Sequence, residues 1–62
     1  MDPAAELSSV STALEELTRR VAAIAEVYQR AKREDLAADL FAVESLLDTA
    51  RRRLAKVVAS RA

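Results

Sequence analysis

Two ladders of apolar residues run along this chain, out of phase with each other. Within each ladder the spacing alternates between three and four residues, which keeps the side chains on one seam of an α-helix packed against a partner. Apart from Ala31 at the bend, we expect these residues to form the seam inside a hairpin. The first ladder is Leu7, Val10, Leu14, Leu17, Val21, Ile24, Tyr28 and Ala31, and the second is Leu36, Leu40, Val43, Leu47, Ala50, Leu54 and Val57.

The step of five residues between Ala31 and Leu36 breaks the seam. Coiled coils tolerate insertions of three or four residues, so this step indicates a turn rather than a continuous helix. Asp2 before Pro3 is a good start for the first helix, and Glu34 or Asp35 is the expected cap of the second. We therefore predict one all-α domain over 1–62, an antiparallel, coiled-coil-like two-helix hairpin. Helix one is expected at about 4–31, the turn at about 32–34 and helix two at about 35–60.

The charged residues fall into four alternating blocks. Residues 2–16 are acidic, 19–33 basic, 34–48 acidic and 51–61 basic. A chain that folds back near residue 32 sets opposite charges against each other along the whole hairpin. Acids at the start and bases at the end of each helix also suit the helix dipoles. Whether complementarity between the helices matters beyond these local effects is left open by the sequence.

A chain of 62 residues buries too little surface to be stable without help. It has no cysteine for a disulfide and neither cysteine nor histidine for a zinc site. Association is the remaining route, and we expect a homodimer in which two hairpins form a four-helix bundle. A larger protein partner is the alternative. Apolar residues outside the seam form the candidate interface: Ala13, Val27, Phe41, Leu46 and Val58.

The absence of histidine and cysteine also removes the commonest nucleophiles and proton shuttles at neutral pH. We expect no enzyme activity, catalytic residue, cofactor or metal.

No apolar run approaches the length of a membrane span, and the first residues do not look like a signal peptide. The expectation is a cytoplasmic protein with no membrane partner. Its preference for Ala, Arg, Val and Asp suggests a bacterial source.

A basic cluster in the second helix is the one candidate for anion binding: Arg51, Arg52, Arg53 and Lys56. Such a cluster could contact phosphates. However, consecutive residues spread around a helix, the formal net charge is zero, and no aromatic residues are interleaved for base stacking. Nucleic-acid binding is therefore not expected.

In its length and its two ladders the chain resembles small bacterial helical-hairpin proteins, some of which bind transcription factors such as sigma factors. No family motif is matched. The sequence thus leaves two hypotheses of function. The first is a non-catalytic interaction or oligomerisation module. The alternative is a small transcription-related regulator that binds nucleic acid, a sigma-like factor or an anionic ligand through its arginines.

Overall fold

The computed structural model describes residues 2–61, apart from the side chain of Arg61. These residues form two helices and no strand: α1 spans Pro3–Arg30 and α2 spans Glu34–Arg61. A helix of 28 residues is about 42 Å long. The molecule measures 45 × 16 × 12 Å, so the helices lie side by side, and the short link makes them antiparallel. The predicted all-α hairpin is confirmed. Met1 and Ala62 of the predicted domain lie outside the described residues.

Each helix begins and ends within one residue of its expected bounds. At the start of α1, the carboxylate Oδ1 of Asp2 accepts a hydrogen bond from the backbone N–H of Ala4 at 3.1 Å. Asp2 is the N-cap, and Pro3 occupies the first helical position, where its missing N–H costs nothing. The predicted Asp2–Pro3 start is therefore found in the structure.

The turn is closed by backbone hydrogen bonds in a chain that has no glycine. The N–H of Arg33 donates to the carbonyl of Tyr28 at 2.9 Å, and the N–H of Lys32 donates to the carbonyl of Gln29 at 3.2 Å. This is the Schellman pattern, in which the residue after the C-cap adopts the left-handed conformation. Lys32 does so, with φ 64°. Glycine is the residue that enters this conformation without a steric penalty from Cβ.

We expect Lys32→Gly to stabilise the chain by about 1 kcal/mol, since the left-handed conformation costs a residue with a Cβ about that much. In a domain of this size the midpoint of thermal unfolding should rise by about 4–8 °C. Lys32→Ala is the matched control, because it removes the same side chain and keeps the Cβ. An equal gain in both variants would assign the effect to the lysine side chain rather than to the backbone.

The start of α2 differs in detail from the prediction. The carbonyl of Arg33 accepts the first helical hydrogen bond, from the N–H of Ala37 at 3.0 Å. Arg33 therefore stands at the cap position, whereas Glu34 and Asp35 lie in the first turn of the helix. There the two acids suit the positive end of the helix dipole without capping it. Asp35 also lies 3.6 Å from the guanidinium of Arg33.

The hairpin has almost no core of its own. Among the described residues, only Ala25 and Ala37 are buried, at 0% and 4% exposure, and no large side chain is fully covered. The total accessible surface is 4707 Å². Neither helix contains a stretch both long and apolar enough to cross a membrane within the part of the chain that the structure describes.

Candidate protein-binding face

Three parallel rows of side chains on each helix define how the hairpin packs. The central row is half-buried in both helices and belongs to the predicted seam: Leu7, Leu14, Val21 and Tyr28 on α1, and Leu40, Leu47 and Leu54 on α2. The inner row is half-buried or buried and, apart from Val58, carries small or polar residues: Ala4, Ser11, Thr18 and Ala25 on α1, and Ala37, Glu44, Arg51 and Val58 on α2. The two helices thus pack through their central and inner rows.

The outer row of each helix carries the rest of the predicted seam, and most of it is open to solvent. Exposed members are Val10, Leu17 and Ile24 on α1, and Val43, Ala50 and Val57 on α2. Leu17 and Ile24 are 48% and 49% exposed. Leu36, at the start of the outer row of α2, is half-buried. The structure therefore differs from the predicted seam: the covered surface is rotated from the outer rows towards the inner rows.

Both outer rows project to the same side of the hairpin. In each helix the outer row lies three residues after a central position, and the inner row lies four residues after it. Equivalent rotational positions on two antiparallel helices fall on one side of the plane that contains both helix axes. The six exposed residues Val10, Leu17, Ile24, Val43, Ala50 and Val57 therefore make one continuous apolar surface, called the open face below.

The predicted interface residues take different positions relative to the open face. Val27 and Leu46 lie in rows that border it, and they are 54% and 71% exposed. Ala13 shares the row of Val27 and is also exposed. Phe41 and Val58 are half-buried and lie on the other side of the hairpin, Val58 in the inner row. Only Ala13, Val27 and Leu46 thus extend the open face.

Two observations indicate which residues of the helices lie about level with each other. Near the free ends, a shallow groove of about 350 Å³ brings residues 8–12 of α1 beside residues 55–59 of α2. Farther along, the pKa of Arg51 on α2 is raised mainly by its hydrogen bond to Asp48 and to a smaller extent by the charge of Glu15, which lies across the hairpin on α1. With this alignment Leu17 lies about level with Ala50, and Ile24 about level with Val43.

The inner rows accommodate polar groups between the helices. The hydroxyl of Thr18 donates a hydrogen bond to the carbonyl of Leu14 at 2.7 Å, within its own helix. This bond satisfies the hydroxyl without a partner from α2. The hydroxyl oxygen of Ser11, in the groove near the free ends, is buried and has no hydrogen-bond partner. A buried hydroxyl without a partner is unfavourable for the folded chain.

The arginine cluster is partly neutralised by an acid of its own helix. One oxygen of Asp48 accepts from Arg51 at 2.7 Å, and the other accepts from Arg52 at 2.8 Å. The hydrogen bond from Arg51, helped by the charges of both arginines, lowers the pKa of Asp48 below its ordinary value of 3.8. Arg53 and Lys56 are exposed. The four predicted anion-binding residues therefore do not converge as a set on one site.

We expect acid to weaken the hairpin through Asp48. Its pKa is lowered in the folded chain, so its contribution is present above the ordinary pKa and is lost as pH falls through the lowered value. An NMR titration of the Asp48 carboxyl measures this pKa. Arg51→Gln should raise it more than Arg52→Gln, because the hydrogen bond from Arg51 is the largest cause. A larger rise in Arg52→Gln would contradict this assignment.

Ion pairs between the described side chains stay within one helix or at its start. Arg19 lies 3.8 Å from Glu15 and 2.7 Å from Glu16, and the pairs of Asp48 are also internal to α2. Between residues 2 and 60 no ion pair within 4 Å joins α1 to α2. The interaction of Glu15 with Arg51 is longer-ranged. The charge blocks thus leave most of their charged groups available on the outside of the hairpin.

The described residues include no group of three or more acidic side chains arranged to hold a metal ion. The open face is the feature of this hairpin that most needs a functional explanation, because large exposed apolar surfaces mark interaction sites. Comparison with known proteins finds no matching family model, no similar curated protein and no similar solved structure.

Proposed function

We propose that this chain is a non-catalytic interaction module that associates with another protein surface through its open face. Self-association into a homodimeric four-helix bundle is the form we propose. The observation that carries the proposal is that six apolar side chains of the outer rows stay exposed while small and polar side chains of the inner rows are covered between the helices. Leu17, Ile24 and Val43 are exposed, whereas Ala25 and Thr18 are covered.

The accessible surface supports association of a particular size. A compact monomer of 6.8 kDa is expected to expose about 4000 Å². This chain exposes 4707 Å². The excess of roughly 700 Å² is close to the ~800 Å² that each partner buries in a standard protein–protein interface. A single docking event on the open face would bring the chain to a normal degree of burial.

The orientation of the helices supports a four-helix arrangement. In a two-stranded coiled coil the partner lies directly opposite the apolar seam. Here the seam consists of the central and outer rows. The other helix of the same hairpin lies towards the inner row, about 50° from the middle of the seam, because adjacent heptad rows are about 50° apart. In a square four-helix bundle each neighbour lies about 45° from the direction of the bundle axis. This orientation supports the proposal that the hairpin is half of such a bundle.

Thermal unfolding at several chain concentrations tests the proposal. If folding is coupled to association, the midpoint temperature should rise steadily with concentration by mass action. Circular dichroism over a hundredfold range of dilution measures this. A midpoint independent of concentration would identify a self-sufficient monomer and contradict self-association.

No observation favours the alternative anion-binding role, because Asp48 already pairs with Arg51 and Arg52.

A further inference from the structure

Resting on the proposed function, we infer the geometry of the dimer. A second copy of this chain covers the open face about a twofold axis parallel to the helices, so that both turns lie at the same end. In this arrangement α1 lies on the partner's α2, and Leu17 faces the partner's Ala50.

The charge blocks fit a second copy of the same chain. When two such hairpins dock face to face with aligned helices and twofold symmetry, each helix is antiparallel to both of its neighbours. The acidic block of residues 2–16 or 34–48 then always meets a basic block of the other copy. Because the ion pairs of the described residues stay within one helix or at its start, these blocks remain available for the partner. Complementary charges favour the correct partner and direction more than they add affinity.

Two symmetric arrangements satisfy this condition. With the twofold axis parallel to the helices, α1 lies on the partner's α2 and the two turns coincide at one end. With the axis across the hairpin, α1 lies on the partner's α1, α2 lies on the partner's α2, and the turns are at opposite ends. Side-chain size and charge distinguish the two.

The sizes of the outer-row residues favour the axis parallel to the helices. Leu17 and Ala50 lie about level, so this axis brings the large Leu17 against the small side chain of the partner's Ala50. The other axis, placed at that level, brings Leu17 against the partner's Leu17 and leaves Ala50 against the partner's Ala50. Cores pack best when large and small residues face each other, whereas two leucines beside two alanines produce crowding next to a void.

The charges beside the open face favour the same axis. Glu16 is exposed and directly precedes Leu17, about 100° around α1 from it, and an axis across the hairpin at Leu17 sets it on the same flank and at nearly the same level as the partner's Glu16. Like charges that meet in an interface are unfavourable. The parallel axis instead places Glu16 within about one helical turn of the partner's Arg53. Arg53 is exposed in the row that borders the open face.

Disulfide trapping tests this arrangement, because the chain contains no cysteine. Two full-length variants, Leu17→Cys and Ala50→Cys, are mixed, allowed to exchange and oxidised, and the products are separated without reductant. A disulfide forms only where the two Cα atoms lie within about 4.4–6.8 Å. We expect the mixture to give cross-linked dimer in up to about half of the chains, the share of mixed dimers in random exchange. Either variant alone should give little.

Ala38→Cys mixed with Leu17→Cys is the matched control, since Ala38 is exposed on α2 away from the open face. Sedimentation of the native chain runs alongside. Cross-linking of Leu17→Cys alone would show the axis across the hairpin and overturn the inferred geometry while leaving the dimer intact. A dimer that forms no cross-link in the Leu17→Cys and Ala50→Cys mixture would equally overturn it. A native chain that sediments as a monomer would overturn self-association itself.

Discussion

Leu17→Glu is expected to raise the dissociation constant of the dimer by about a thousandfold. Leu17 is 48% exposed in the hairpin and lies in the middle of the open face. Burial of a leucine contributes about 2 kcal/mol, and twofold symmetry counts the change twice, which gives about 4 kcal/mol in total. Glutamate is as good a helix former as leucine, so the effect falls on association rather than on α1 itself. Sedimentation equilibrium over a range of concentrations measures the constant.

Ala38→Glu is the matched control for this experiment. It adds the same charge to an exposed position that lies away from the open face. Its dissociation constant should stay within a few-fold of the native value, as is usual for exposed positions. If both variants weakened the dimer alike, the loss would come from the added charge, and the open face would not be the docking surface.

Ala25→Leu is expected to destabilise the chain by about 1–3 kcal/mol, the usual cost of overpacking. Ala25 has 0% exposure, so the space beyond its methyl group is occupied. It lies in the inner row near the turn, where Ala37 on α2 is also buried. A larger side chain at this position forces the helices apart. In a domain of this size the midpoint of thermal unfolding should fall by about 4–8 °C for each kcal/mol.

Ala23→Leu provides the comparison for Ala25→Leu. It is the same substitution two residues earlier on α1, at an exposed position. Its effect should be no more than about 0.5 kcal/mol, as is usual for a surface change. Equal destabilisation by the two variants would mean that Ala25 is not at a close approach of the helices, and that the assignment of inner and outer rows is wrong.

The local features of the fold follow well from the sequence. The ladders, the break between Ala31 and Leu36 and the Asp2–Pro3 start are local patterns, and the hairpin they predict is the one observed. The cap of α2 was less predictable. Glu34 and Asp35 are good cap residues, but the carbonyl hydrogen bond that defines the cap belongs to Arg33. Lys32 carries no sequence signal for its left-handed conformation, because glycine usually marks that position.

The packing of the two helices was harder to predict, because the ladders do not say how many helices share them. A seam of two apolar rows suits both a two-stranded coil and a four-helix bundle, and the two differ only in where the partner lies relative to the seam. A seam formed by both rows inside the hairpin requires the other helix to lie directly opposite it. The structure instead covers Ser11 and Thr18 and exposes Val10 and Leu17. The small inner-row residues Ala25 and Ala37 are the signal that could have revealed this rotation, because small residues allow helices to approach closely.

Phe41 and Arg51 show a second limit of sequence reasoning. Phe41 was expected in the interface because it lies off the seam, but a row off the seam can face either side of a hairpin. Arg51 belongs to a basic run in the sequence, yet in the structure it lies in the covered inner row and donates to Asp48. The side of the hairpin on which each residue lies depends on the rotation of the helices, and three-dimensional packing decides that rotation.

Sedimentation equilibrium of the native chain, from low to high concentration, tests the central claim most directly. The claim is that the open face of one hairpin is covered by a second copy. The measured mass should approach twice the chain mass of 6.8 kDa as concentration rises, and should fall towards a single chain on dilution. A mass of one chain at every concentration would contradict self-association through the open face.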